Sequence, residues 1–324
     1  MTTKNCLVGD IGGTNVRLAL ADLTDGSPKI SAPKSLPRAG YATFEEVVDL
    51  YLKESGGPIP DAIVVAVAGP IKDGEVKLTN GQWVISEAVL RARGFKNAHL
   101  INDYAALAYA VEHLAGDDLV EIGGHHPGIA GETVGVVGAG TGLGVAALVR
   151  DKFSSSVMVT EGGHIAFSPV DETEYALLNV LKVRYGRVSA ERLLSGPGLS
   201  NIHWALARLG GLDIAPLEPA EVAKRAVAQS DPYCQKAFEA FLGIYGRFAG
   251  DIALAYGARG GIYLGGGIAP RFLKELDSGT FRRCFEDKGR FESYVGIVPT
   301  KVIVHPFAAL LGSGEAALRA FVRR

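Results

Sequence analysis

The feature that most constrains the fold is a strand–turn–strand segment that occurs twice in the chain. Residues 7–20 read LVGDIGGTNVRLAL, an apolar strand, a turn with two adjacent glycines, and a second apolar strand. Residues 134–148, VGVVGAGTGLGVAAL, repeat this arrangement, and Gly13-Thr14 aligns with Gly140-Thr141. Two such hairpins in one chain predict two similar halves.

The turns of both hairpins have the chemistry of anion-binding sites. Adjacent glycines let backbone N–H groups approach an anion with no Cβ in the way, and threonine adds a hydroxyl donor. Neither turn is a Walker A loop, which requires GxxxxGK[ST] at the start of a helix. Taken alone, the first turn is equally compatible with an ordinary glycine-rich hairpin. The predicted nucleotide-binding residues of the two turns are Asp10, Ile11, Gly12, Gly13, Thr14, Asn15, Gly140, Thr141 and Gly142.

A third glycine cluster follows near the C-terminus. Residues 260–270, GGIYLGGGIAP, read as a buried strand that runs into glycines and then a helix. Gly265, Gly266 and Gly267 let a ligand lie directly against the backbone. We therefore add these three residues to the predicted nucleotide site.

The order of these motifs resembles a known superfamily. DIGGTN, then GAGTGLG, then LGGGIAPR is similar to the sugar kinase/Hsp70/actin superfamily, and LINDYAA, EGGH and SAERLLSGPGL resemble bacterial ATP-dependent glucokinases of the proteobacterial and cyanobacterial type. The resemblance extends from about residue 7 to about residue 314. It implies an α/β, two-domain actin-like ATPase (ribonuclease H-like) fold, with mixed sheets flanked by helices and the active site in the interdomain cleft.

The domain division combines both kinds of reasoning. The sequence places a boundary near residues 113–118, just before the second hairpin, and the resemblance implies that the last segment returns to the first domain. The prediction is a small domain of residues 1–113 plus 305–324 and a large domain of residues 114–304. The resemblance also implies a homodimer.

Asn102 and Asp103 follow a short predicted strand at residues 99–101 and precede a predicted helix at residues 104–113. Ligands of open α/β sheets bind beyond the carboxyl ends of strands, so the position is that of a site. Position alone favours a simpler interpretation, in which Asp103 is the N-cap of its helix. The resemblance instead matches Asp103 to the catalytic general base.

Glu161 and His164 lie three apart in the chain with two glycines between them, so both can face one small polar ligand. A zinc site at His164 is not expected, because all three cysteines are distant from it in the sequence and the cysteine-rich loop of related families is missing. We therefore predict no zinc site. The sugar-binding residues that the resemblance implies are Asn80, Asn102, Asp103, Glu161, His164 and Glu191.

Composition excludes several classes of partner. Lys plus Arg (33) nearly balances Asp plus Glu (35), so no charge excess favours nucleic acid or an anionic membrane. No apolar run approaches the ~20 residues of a membrane span, and the N-terminus lacks a signal-peptide core. Three scattered cysteines fit reduced thiols, so we expect a cytoplasmic protein.

The implied reaction is transfer of the γ-phosphoryl group of ATP to the 6-hydroxyl of glucose, which gives glucose 6-phosphate and ADP. Asp103 would be the base, and Mg²⁺ would accompany ATP, held by Asp10 through water. Two alternatives stay open at this point. The chain could phosphorylate another hexose or an amino sugar, or it could be a nucleotide-binding regulator of the same fold.

Overall fold

The computed structural model describes residues 4–78 and 83–323. The chain forms two compact units, Met1–Gly116 with His305–Arg324, and Asp117–Val304. The predicted functional domains, 1–113 plus 305–324 and 114–304, stay a prediction.

The first stretch of the chain alternates strands and helices. Its elements are β1 (Asn5–Ile11), β2 (Asn15–Asp22), β3 (Lys29–Pro37), α1 (Phe44–Ser55), β4 (Ala62–Val67), β5 (Glu75–Lys77), β6 (Val84–Ser86), α2 (Glu87–Ala92), β7 (Asn97–Asn102) and α3 (Asp103–Ala110). Helix α1 begins where Thr43 Oγ accepts the N–H of Glu46 at 3.3 Å. It ends at Gly56, whose φ of 67° suits glycine.

The rest of the chain continues in the same α/β pattern. Its strands and longer helices are β8 (Leu119–Ile122), β9 (Val134–Ala139), β10 (Leu143–Arg150), β11 (Ser155–Thr160), α4 (Glu172–Tyr185), α5 (Gly196–Leu209), α6 (Pro219–Val227), α7 (Pro232–Tyr256), β12 (Gly261–Gly265), α8 (Leu273–Leu276), α9 (Thr280–Glu286), α10 (Glu292–Gly296), β13 (Thr300–Ile303) and α11 (Ala308–Phe321). Short 3-10 helices, among them Gly162–His164 and Ala190–Arg192, lie in the connections.

The described part of each unit contains one large mixed sheet, and the two large sheets have the same design. Strands β5 and β6 form a separate two-stranded antiparallel sheet. Of the two large sheets, the first has the order β3-β2-β1-β4-β7, and the second has β11-β10-β9-β12-β13 with β8 added at its edge. In both, the first three strands form an antiparallel meander, and the two later strands run parallel to the first. The prediction of two similar halves is confirmed.

Strand β4 is covered on both faces, as its continuous apolar sequence predicts. Ile63, Val65 and Val67 join the core beneath α1, whereas Val64 and Ala66 join the core beneath α11. All six residues of the strand are buried. Each large side chain buried here contributes roughly 1.5–3 kcal/mol to stability.

Helix α11 is part of the first unit. It packs so closely on α3 that a Cβ on Gly312 would overlap the carbonyl oxygen of Ala106. Its Glu315 is 1% exposed and accepts bonds from His113 Nε2 at 2.9 Å and Arg319 Nε at 2.8 Å. Burial alone would raise the pKa of Glu315, but these partners outweigh it and hold the pKa below its usual value.

The core of the second unit is built around α7. Six apolar residues recur here at helical spacing, which predicts a buried stripe, and all six are buried: Phe238, Phe241, Leu242, Tyr245, Phe248 and Ile252. The pair Asp231-Pro232 predicts a break in the helical sequence before this stripe. The break is confirmed, since Asp231 Oδ1 caps α7 by accepting the N–H groups of Tyr233 and Cys234.

None of the helices within residues 4–78 and 83–323 combines the length and apolar character needed to cross a membrane. Cys6, Cys234 and Cys284 all lie in this described part of the chain and are free thiols.

Candidate active site

The first glycine turn joins β1 to β2 in the first unit. Gly12 N donates to Asn15 O at 2.9 Å, which closes the turn. Thr14 and Asn15 are exposed at its tip, and Ile11 is buried at its base. A Cβ added to Gly13 would meet no heavy atom of the described residues within 4 Å. The tip is therefore open to a ligand. Any residue other than glycine at position 13 would place its Cβ in this open space.

Asp10 lies at the base of this turn with its carboxylate 13% exposed. Its Oδ2 accepts a hydrogen bond from Arg17 Nη1 at 2.7 Å. Burial raises the pKa of Asp10, and the bond from Arg17 opposes that rise. Sequence reasoning missed Arg17, although the hairpin register alone pairs Asp10 with Arg17 across the strands.

Arg38 is a second cation at the same turn. Its backbone N–H donates to Thr14 O at 2.8 Å, and its Nη1 lies 3.3 Å from Gly13 O. Its guanidinium stacks 5.0 Å from the centre of the Trp83 ring, which holds it in place. No local pattern links residue 38 to residues 12–14, so the sequence held no signal for this contact.

Asn102 and Asp103 end β7 and begin α3. Asn102 is the N-cap, because its Oδ1 accepts the N–H groups of Tyr104 at 2.9 Å and Ala105 at 3.2 Å. Asp103 is the first helical residue, half-buried, and its Oδ1 accepts the N–H of Tyr104 at 3.0 Å. The simpler interpretation, in which Asp103 is the N-cap, is therefore wrong. Asn80, also predicted to bind sugar, lies outside the described residues.

The second glycine turn joins β9 to β10 in the second unit, and the third cluster packs directly on it. Gly140 N donates to Gly142 O at 2.8 Å, and Thr141 is exposed at the tip. Gly265 pairs with Gly138 in the parallel β12–β9 ladder, which brings the third cluster beside the turn. Gly266 has φ of 78°, and a Cβ there would overlap the carbonyl oxygen of Ala139.

Gly267 continues this surface. A Cβ on Gly267 would meet no heavy atom of the described residues within 4 Å, whereas one on Gly140 would lie 3.7 Å from Gly267 N. The two predicted nucleotide segments of the second unit thus lie against each other, with Thr141 and Gly267 exposed to solvent. The N–H of Gly196, the first residue of α5, donates to Gly140 O at 2.8 Å and is therefore not available to a ligand.

Glu161, His164 and Glu191 come together in the second unit. His164 Nε2 lies 3.8 Å from Glu161 Oε2, and His164 Nδ1 lies 3.9 Å from Glu191 Oε1. The imidazole therefore stands between two carboxylates. His164 and Glu161 are well exposed, at 56% and 73% of their side chains, so their polar atoms are accessible to a ligand.

Two close contacts explain why glycines flank this group. A Cβ on Gly163 would overlap the carbonyl oxygen of Leu143, so only glycine lets the loop lie this near β10. Glu191 Oε2 accepts the N–H of Leu143 at 3.0 Å and lies 2.6 Å from where a Cβ of Gly142 would be. Glu191 is thus bonded to the strand that leaves the second turn.

A mixed sheet of this strand order, formed twice with a glycine-threonine turn after each first strand, defines an actin-like ATPase fold, the class that includes the sugar kinases. The family model described as Glucokinase matches residues 7–320. The chain belongs to the glucokinase family.

Individual relatives agree with this assignment. The chain is 46% identical over 311 residues to a glucokinase of Caulobacter sp. (strain K31), a match that covers 96% of this chain and 94% of that protein. It is 44% identical over 313 residues to a glucokinase of Klebsiella pneumoniae subsp. pneumoniae, with 96% of each chain covered. The crystal structure of a glucokinase from an Antarctic psychrotroph superposes with a TM-score of 0.88 at 34% identity, covering 98% of this chain and 99% of that one.

These matches bear on the predictions made from sequence. The resemblance and the fold class are confirmed, and so is the class of enzyme, an ATP-dependent hexose kinase. The roles of the individual site residues stay predictions.

Proposed function

We propose that the protein transfers the γ-phosphoryl group of MgATP to the 6-hydroxyl of glucose, with Asp103 as the general base. The observation that supports the role of Asp103 is that a different residue, Asn102, is the N-cap of α3. Asn102 Oδ1 caps the helix, so the acid beside it is not needed for capping. Asp103 follows the carboxyl end of the parallel strand β7, and ligands of such sheets bind beyond the carboxyl ends of their strands.

In the reaction, the 6-hydroxyl oxygen of glucose forms a bond to the γ-phosphorus as its proton passes to the Asp103 carboxylate. The bond from the γ-phosphorus to the β,γ-bridging oxygen breaks, and ADP leaves with that electron pair. Phosphoryl transfer needs alignment and charge stabilisation more than covalent help from the protein. A base that accepts the hydroxyl proton contributes about 10²–10⁴-fold to the rate.

Each turn binds phosphate with its own groups. At the first turn, the open backbone at Gly13 and the hydroxyl of Thr14 face phosphate oxygens, and Arg17 and Arg38 supply positive charge. Thr141 has the corresponding role at the second turn, and the backbone surface of Gly265, Gly266 and Gly267 receives the adenosine. The exposed tips of both turns support these assignments.

Asp10 is the side chain suited to Mg²⁺. Because Arg17 occupies Oδ2, Oδ1 is the oxygen left to accept a hydrogen bond from a water of the ion. This arrangement fits an ion that keeps most of its waters, and direct ligation beside a guanidinium does not fit. When bound with ATP, Mg²⁺ neutralises charge on the phosphates.

The sugar is bound by carboxylates, an imidazole and amides, which accept and donate hydrogen bonds as each hydroxyl requires. Glu161, His164 and Glu191 do so in the second unit, and Asp103 with the Asn102 amide does so in the first. Asn80 is proposed as a further ligand from the family resemblance. A homodimer in the cytoplasm completes the proposal.

Asp103→Asn tests the mechanism. The amide keeps the size and a hydrogen bond to sugar but cannot take the proton, so kcat should fall by about 10²–10⁴. The dissociation constant for glucose, titrated on the same preparation, should stay within a few-fold of wild type. Asp171→Asn is the matched control, because Asp171 is another acid at a helix start, where it caps α4. Normal kcat in the Asp103 variant would refute the assignment, and a panel of competing hexoses measures the preference for glucose.

A further inference from the structure

A compact group of metal-ligating side chains lies in the second unit, built from residues that the proposed reaction does not use. His203, Asp231 and Cys234 each place one ligand atom so that all three atoms lie within 4.8 Å of one another. His203 is on α5, and Asp231 and Cys234 begin α7. The group therefore joins two helices that are separated in the chain by α6.

His203 carries the observation that points to a ligand. Its side chain is buried, with the residue 1% exposed, and its Nδ1 finds no hydrogen-bond partner among the described residues. A buried polar atom without a hydrogen-bond partner is unfavourable, and a bound ligand would remove that cost.

Asp231 supplies the second ligand without giving up its capping role. Its Oδ1 accepts the N–H groups of Tyr233 at 2.8 Å and Cys234 at 3.1 Å. Oδ2 has Arg225 Nη1 at 3.8 Å, which is beyond hydrogen-bond distance. The Asp231 side chain is 25% exposed, so the group is reached from solvent on this side.

Cys234 selects the kind of ion. A metal binds the thiolate form of cysteine, so an ion at this site has to displace the proton from the Cys234 sulfur. Thiolate with imidazole favours zinc and other thiolate-binding metals, whereas Mg²⁺ prefers oxygen ligands alone. Metal–ligand bonds of ~2.0–2.3 Å place tetrahedral ligands roughly 3.3–3.8 Å apart, so atoms within 4.8 Å have to close by at most about 1–1.5 Å.

We propose that His203, Asp231 and Cys234 form a binding site for Zn²⁺, with three protein ligands and a fourth position for water. This differs from the sequence prediction of no zinc site, which considered only the neighbours of His164. The two segments had given no metal signal in the sequence, because His203 and Asp231 belong to separate helices and only the packing of α5 on α7 brings them together.

The test uses the full-length protein after treatment with a chelator. Zn²⁺ binding is measured by equilibrium dialysis with metal analysis, and Co²⁺ is used as a probe for the absorption band of a cobalt–thiolate bond. We expect one high-affinity Zn²⁺ per chain, a thiolate band with Co²⁺, and a rise in melting temperature on adding Zn²⁺.

Three variants assign the ligands. Cys234→Ser should abolish the thiolate band, and His203→Gln and Asp231→Asn should each weaken Zn²⁺ binding by tenfold or more. Asp231→Asn also guards against misfolding, because asparagine caps a helix nearly as well as aspartate. Cys284→Ser and His164→Gln are the controls, since neither residue belongs to the group, and both should bind Zn²⁺ as wild type does. Absence of the thiolate band, or equal Zn²⁺ affinity in wild type and all three ligand variants, would overturn the proposal.

Discussion

Gly13→Ala measures two effects of a Cβ at this position separately: the effect on the stability of the folded protein and the effect on phosphate binding. The φ of Gly13 lies outside the left-handed region, and a Cβ there would touch no heavy atom of the described residues within 4 Å. Alanine is therefore accommodated without strain. Because it also narrows the conformations of the unfolded chain, it should stabilise the protein by about 0.4–1 kcal/mol.

The same methyl group should weaken nucleotide binding. If phosphate oxygens lie against the backbone at Gly13, the Cβ occupies their space and at least one hydrogen bond to a charged group is lost. Such a bond contributes roughly 1.5–3 kcal/mol. The dissociation constant for MgATP should then rise by about 10–150-fold.

The assay is calorimetric titration of a non-hydrolysable MgATP analogue into wild type and variant, with melting temperatures measured on the same samples. Gly57→Ala is the matched control, because a Cβ there also meets no heavy atom of the described residues within 4 Å and its φ is also outside the left-handed region. The control should gain stability and bind the nucleotide normally. Unchanged affinity in Gly13→Ala would refute the assignment of the first turn as a phosphate site.

Three further substitutions test the sugar site and the packing of the first unit. Glu191→Gln should raise the KM for glucose by about tenfold or more, the equivalent of one charged hydrogen bond, and an unchanged KM in steady-state kinetics would exclude a sugar contact. Glu315→Gln should lower the free energy of unfolding at pH 7 by about 3–5 kcal/mol, because it breaks a buried ion pair. The pKa of Glu315 is lowered in the folded protein, so the contribution of its carboxylate to stability is complete above about pH 4.3 and is lost as the pH falls below that value. In denaturant unfolding, the free energies of wild type and variant should therefore converge at low pH. Gly312→Ala should destabilise by about 1–3 kcal/mol or more through overlap with Ala106, whereas Gly243→Ala, where a Cβ meets its nearest neighbour at 3.4 Å, should be tolerated in the same melting assay.

Features that depend on near neighbours in the chain were determined by the sequence. Apolar segments on either side of a glycine turn predicted the two hairpins, and a continuous apolar run predicted the doubly covered strand β4; both are confirmed. Thr43, with two acids in the turn that follows, predicted the start of α1, and Asp231-Pro232 predicted the break before α7. These features follow from the sequence because strand periodicity, turn geometry and helix capping are set by residues within about four positions of one another.

The position of Asp103 near the start of a helix was not enough to show whether it is the N-cap. Position in the sequence favoured Asp103 as the cap, whereas the cap is Asn102. Asn and Asp cap almost equally well, and here the two residues are adjacent. The boundary resolves the matter by one position, since the chain leaves β7 at Asn102 and Asp103 already has helical geometry.

The remaining features were decided only by tertiary structure. Arg38 reaches the carbonyl of Gly13, and Glu191 reaches the N–H of Leu143, although each pair is far apart in the sequence. In the same way, His203 lies beside Cys234 although the two belong to different helices. Contacts at such separations depend on strand register and on how helices pack, and many sequences with the same local pattern would pack differently. The local pattern therefore determined which elements form, whereas the close packing of distant segments determined which polar atoms meet.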